Sequence, residues 1–149
     1  MGIAYQVDPS TGVSVSVWQG HVTLEEAMQH VADLRAMPEW GAGGRILTDL
    51  SGVPSSALPD PGQVAKLAAA FMDLIDGRTQ QAKWAFVANA AFMRASQFGE
   101  AIHEEVRSVL VFFDLASACI WLDVDRDALR GVIESLRIQA QVQDHNDAD

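Results

Sequence analysis

Short apolar runs with the period of a strand alternate along this chain with longer stretches at helical spacing, and that alternation admits few folds. Ile3 to Val7 and Val13 to Trp18 are strand-like, the second alternating Val13, Val15 and Val17 against Ser14 and Ser16. Asp8-Pro9-Ser10-Thr11-Gly12 between them has turn chemistry, so the chain opens on a hairpin. Arg45 to Leu50, Trp84 to Ala88 and Val109 to Phe113 are three further apolar strands, each reached through a helical segment. A strand that follows a crossover helix returns right-handed and pairs parallel. The expected architecture is α/β: a mixed five-stranded sheet, antiparallel at the opening hairpin and parallel thereafter, with helices between the strands and an extra helix at the carboxyl end.

The helices announce themselves by their caps. Thr23 precedes Leu24, Ala27, Met28, Val31 and Leu34, with Glu26 placed to close a capping box, and the pattern stops at Met37-Pro38. Asp60-Pro61-Gly62-Gln63 sets an N-cap, a proline at the first helical position and a glutamine at the third, ahead of Val64, Leu67, Ala68, Phe71 and Ile75. Gly77 ends that helix. Asn89 introduces a longer helical stretch reaching about Arg107, Asp114 caps Leu115 to Leu122, and a final helix from about Asp125 carries Leu129, Val132, Ile133, Leu136 and Ala140. Residues 1–142 are expected to form one domain, and residues 143–149 an acidic, flexible tail.

Charge and cysteine content narrow the function classes. The net charge is −10, and the 10 basic residues are scattered rather than gathered in a stripe, so no platform for nucleic acid is expected. No apolar run approaches membrane-spanning length, and the amino end lacks the pattern of a secretory signal. Cys119 stands alone and cannot close an intrachain disulfide; the expected compartment is the cytoplasm.

Three stretches carry a family resemblance: Gly20-His21-Val22-Thr23-Leu24-Glu25-Glu26, Leu47-Thr48-Asp49-Leu50-Ser51-Gly52-Val53, and Val111-Phe112-Phe113-Asp114 with Ala118, Trp121 and Leu122. In order and spacing they resemble the STAS superfamily, and more closely its stand-alone bacterial SpoIIAA-like branch, over about the first 122 residues. The resemblance implies a mixed sheet with helices, working as a switchable interaction module or, in some branches, as a holder of small molecules or lipids; it does not imply an enzyme. In the anti-sigma antagonists of that superfamily an aspartate-serine pair and a glycine follow the strand that ends like Asp49-Leu50-Ser51, and the serine is phosphorylated. Here Ser55 and Ser56 lie near that place, with no aspartate before them and no glycine directly after.

Candidate sites follow from position. Asp49, Asn89 and Asp114 are expected at the carboxyl ends of successive strands, where open α/β sheets hold ligands, although Asn89 and Asp114 also suit helix caps. The loop from Ser51 to Pro59, with Ser55, Ser56 and the adjoining Asp60, is a candidate binding or regulatory surface. Trp40, Phe71, Met72, Trp84, Phe92, Met93 and Phe98 either fill the core or line an apolar pocket. Asp123, Asp125, Asp127 and Glu134 imitate a calcium loop without its glycine, since Ala128 stands at the sixth position. His21, His30, His103 and His145 share no zinc spacing, and Gly41, Gly43 and Gly44 precede a strand rather than opening a phosphate-binding helix.

No catalytic constellation, metal site or cofactor is therefore expected. Two functions remain: a regulatory module that binds a protein partner, or a carrier or sensor of an apolar small molecule or lipid. Exposed sheet edges also invite a homodimer.

Overall fold

The opening hairpin pairs β1, Ile3–Val7, with β2, Ser14–Gln19, in the antiparallel register Ile3 to Trp18 through Val7 to Ser14. Its turn is held by Asp8, whose carboxylate accepts from the hydroxyls of Ser10 and Thr11 and from the Thr11 N–H, while Gly12 takes the positive φ of 74° that closes it. The computed structural model describes residues 2–75, 77–106 and 108–148.

Helix α1, Leu24–Arg35, follows β2 and leads to β3, Arg45–Gly52; after a 3-10 turn, Ser55–Ala57, come α2, Pro61–Leu74, a short α3, Gly77–Gln81, and β4, Lys83–Val87. Then α4, Phe92–Ile102, β5, Ser108–Phe112, α5, Leu115–Leu122, and α6, Arg126–Ala148, complete the chain. The sheet order is β1-β2-β3-β4-β5, and every pair after the hairpin is parallel: Val15 faces Leu47, Leu47 faces Ala85, and Ala85 faces Leu110. The expected α/β class and mixed five-stranded sheet are what the chain adopts. Among the described residues no helix is long and apolar enough to cross a membrane.

Because strand side chains alternate, the sheet supports two cores. Val15, Val17, Leu47, Ala85 and Val87 pack against Ala118, Cys119 and Leu122 of α5 and Leu129, Ile133 and Leu136 of α6. The opposite face presents Ile46, Trp84 and Phe86 to Val64, Ala68 and Phe71 of α2 and Ala95 and Phe98 of α4, with Val31 and Leu34 of α1 alongside. Helices on both faces explain why Ser14 and Ser16, which alternate with valines like residues facing water, are buried. Ser14 Oγ accepts from the Gly41 N–H at 2.9 Å, so its polarity is matched inside the protein.

Several boundaries differ from expectation. Asp49 does not end β3; the strand continues to Gly52, and Asp49 pairs with both Val17 and Val87 in the sheet interior. The residues after Gly77 form α3, which polar Arg78-Thr79-Gln80-Gln81 gave no apolar period to reveal. Helix α4 begins at Phe92 with Ala91, not Asn89, at its N-cap and ends at Ile102; Glu105 and Val106 donate back to Ile102 in a closing turn, and Arg107 lies outside the described residues. Helix α6 runs on through Gln143–Ala148, the stretch read from the sequence as an acidic, flexible tail; Asp149 lies outside the described residues.

Candidate functional site

Between the sheet and helices α1, α2 and α4 lies an apolar cavity of about 150 Å³. Its floor is Ile46, Thr48 and Leu50 of β3 with Trp84 and Phe86 of β4, and Trp18 and Trp40 close one side. Val31 and Leu34 of α1, Val64, Leu67 and Phe71 of α2, and Ala95 and Phe98 of α4 form the walls. The sequence leaves this space because small side chains stand where the layers meet: Ala27 on α1, Ala91 and Ala95 at the start of α4, and Thr48 on the sheet. The rings around them are tall and mutually braced. Trp84 stacks on Phe86 at 4.9 Å and meets Phe98 edge-on at 5.9 Å, while Phe71 tilts against Trp84 at 5.1 Å. Aromatic groups locked to one another cannot collapse into the gap.

The loop after β3 forms the remaining wall. Val53, Ala57, Leu58 and Pro59 face the cavity, and Asp60 then starts α2 with a complete capping box, accepting from the Gln63 N–H while the Gln63 side chain accepts from the Asp60 N–H. Arg94 of α4 donates from Nε to the Pro59 carbonyl at 2.8 Å, and Gln97 donates to the Pro61 carbonyl, so α4 holds the loop from the side.

Few polar atoms enter the cavity wall, and most are matched. Trp84 Nε1 donates to Thr48 Oγ1 at 3.0 Å. Ser16 Oγ accepts from Trp18 Nε1 at 3.0 Å and lies 2.9 Å from His30 Nε2. The serine oxygen has two acceptor sites and one proton, so it can accept from the indole and still bond Nε2 in either imidazole tautomer. His30 Nδ1 is buried and has no partner. Burial pushes the His30 pKa down to about 4 despite the opposing charge of Asp33, so the ring is neutral at neutral pH. Three arginines also line the cavity, Arg35, Arg78 and Arg94. Arg35 donates to the Ile75 carbonyl at the end of α2, and Arg78 to the carbonyls of Met37 and Pro38.

The residues singled out from sequence distribute unevenly around this site. Trp40, Phe71, Trp84 and Phe98 line the cavity. Met72 is exposed on α2, Met93 is 71% exposed on α4, and Phe92 stacks at 4.2 Å on Phe113, which is itself 63% exposed. Asp49 points to the other face of the sheet: Oδ1 accepts from the N–H and Oγ of Ser51, and Oδ2 pairs with Arg137 of α6 at 2.9 Å. It fastens α6 to the sheet and is committed there. Asp114 caps α5 through the Ser117 N–H, a bond that holds its carboxyl below the usual carboxylate range. Asn89 is exposed in the turn before α4 and offers its backbone carbonyl, not its side chain, to Phe92. Ser55 and Ser56 are exposed on the 3-10 turn whose neighbours line the cavity.

Sequence reasoning missed Trp18, His30, Thr48, Phe86 and Arg94, whereas Leu58 and Pro59 belong to the loop it singled out. A signal for some was present: His30 stands between Ala27 and Leu34 on the apolar stripe of α1, and Phe86 is two residues from Trp84 on the same strand face. Among the described residues no group of three or more His, Cys, Asp or Glu is placed to hold a metal ion. Burial raises the Cys119 thiol pKa, which disfavours its thiolate. No family model and no curated protein matches this sequence.

Proposed function

We propose that this chain is a non-catalytic carrier or sensor of an apolar small molecule, held in the cavity between the sheet and α1, α2 and α4. The cavity itself carries the reading. Interiors close-pack, whereas here the sheet and three helices leave a partly open apolar recess floored by Trp84 and Phe86, a surface that a bound apolar molecule would remove from water. The wall chemistry agrees, since apolar and aromatic groups dominate and a small number of polar groups remain to orient a ligand.

A second reading, a regulatory module acting on a protein partner as the STAS resemblance implies, is favoured by one observation. Ala57, Leu58 and Pro59 touch the cavity while Ser55 and Ser56 face solvent on the same short loop, so occupancy would be felt at the surface a partner could grip.

Native mass spectrometry of the gently purified protein tests the carrier reading. A retained small molecule, lost when Ala95→Leu fills the cavity, is the expected result. An unliganded mass that stays unliganded after incubation with an excess of a compact apolar compound would contradict it.

A further inference from the structure

The cavity has a charge pattern opposite to that of the whole chain. The sequence holds 20 acidic residues against 10 basic ones, yet among the described residues the lining contains three arginines and no carboxylate. Arg35 and Arg78 serve as braces on backbone carbonyls near the ends of α1 and α2. Arg94 is placed differently. It stands in the first turn of α4, half-buried, and its guanidinium donates only through Nε, to Pro59; among the described residues its Nη atoms have no protein partner. Four N–H donors therefore remain on a partly desolvated cation at the wall of an apolar cavity. The first turn of α4 also has no side-chain cap, so its positive end adds to the same field.

A second polar group in the lining is also without a full set of partners. His30 is 2% exposed, lines the cavity, and leaves Nδ1 without a partner in the protein. A buried imidazole nitrogen without a partner, and a half-buried guanidinium with N–H donors that no protein group takes, leave polar capacity at the wall for a ligand's polar group.

We propose that the cavity takes a compact apolar carboxylate, its body seated against Trp84, Phe86 and Phe98 and its carboxylate paired with Arg94; this rests on the ligand-holding function proposed above. The planar fork of an arginine matches the two oxygens of a carboxylate and binds them more strongly than it binds a neutral hydroxyl. The volume of about 150 Å³ suits a body of about the bulk of one benzene ring or a six-carbon chain. Because the net charge of −10 repels anions over the surface as a whole, a preference for the anion must arise locally.

The test compares hexanoate with 1-hexanol, which share an alkyl chain and differ in charge, by fluorescence titration at neutral pH. Three of the four tryptophans, Trp18, Trp40 and Trp84, line the cavity and report on its occupancy. The wild-type chain should bind hexanoate about tenfold more tightly than 1-hexanol. Arg94→Gln should abolish that preference, read as the ratio of the two affinities in the same variant, while Arg35→Gln should retain it. If circular dichroism shows Arg94→Gln to be unfolded, Arg94→Lys decides: its ratio of hexanoate to 1-hexanol affinity should fall at least about threefold below that of the wild-type chain. Equal affinity for the two probes, or a preference that survives at Arg94, overturns the assignment of a carboxylate and leaves the apolar cavity standing. Failure of the wild-type chain to bind either probe overturns the ligand-holding function itself.

Discussion

Lowering the pH from neutral toward 4 sets two protonation equilibria against each other at His30. In the unfolded chain the imidazole takes a proton near the ordinary 6.5, whereas in the folded chain burial depresses its pKa to about 4, with Asp33 only partly opposing. Between those values the unfolded state binds a proton that the folded state does not, so stability falls as pH falls. The contribution is complete above about pH 6.5 and is lost by the time the pH has passed below about 4. The difference amounts to about 2 kcal/mol near pH 5 and about 3 kcal/mol near pH 4, against a total of roughly 5–15 kcal/mol for a small domain. His30→Gln supplies the comparison, because glutamine can still bond Ser16 and does not titrate. Urea unfolding of both proteins across this range should give stability curves that diverge by about 2 kcal/mol between pH 7 and pH 5, with carboxylate effects common to both cancelling. Parallel curves would refute the buried, neutral histidine.

Asp49→Ala should destabilise the protein by about 2–4 kcal/mol in urea unfolding, since it strips Arg137 and Ser51 of a buried acceptor, and should leave cavity binding unchanged because it acts on the other face. A cost below about 0.5 kcal/mol would mean that the ion pair does not fasten α6. Thr48→Val orphans the buried Trp84 indole N–H and should cost about 1–3 kcal/mol; an unchanged unfolding midpoint would contradict the hydrogen bond. Asp60→Ala should cost about 1 kcal/mol through loss of the capping box, read by thermal unfolding.

Most of the fold was legible because it rests on local signals. The Asp8 to Gly12 turn, the Asp60-Pro61-Gly62-Gln63 cap and the Asp114 cap each state an element boundary within a few residues, and the observed elements honour all three. Thr23 also caps α1, but only half of its expected capping box forms: it accepts from the Glu26 N–H, and Glu26 Oε2 is left buried without a partner. Helix α4 was harder, because the polar Asn89 that suggested its start lies two residues before the true N-cap, Ala91, which has no side chain to bond the first turn.

The site was less legible than the fold because a cavity is a property of three layers at once. Trp84 and Phe98 announce an aromatic interior, but whether rings fill a space or surround it depends on Ala27, Ala91, Ala95 and Thr48 meeting across different elements. Asp49 shows the converse error. Its sequence position suggested a ligand edge, and its partner Arg137, 88 residues away, could not be found from spacing.

Methyl NMR of the protein under increasing xenon pressure addresses the cavity directly, since xenon occupies apolar spaces of this size without requiring a polar contact. Saturable shifts at the methyls of Ile46, Val64 and Leu67, with those of Val15, Leu47, Leu129 and Ile133 on the other face unmoved, are the predicted result. Shifts distributed equally over both faces, or none that saturate, would contradict an apolar cavity beneath α1, α2 and α4.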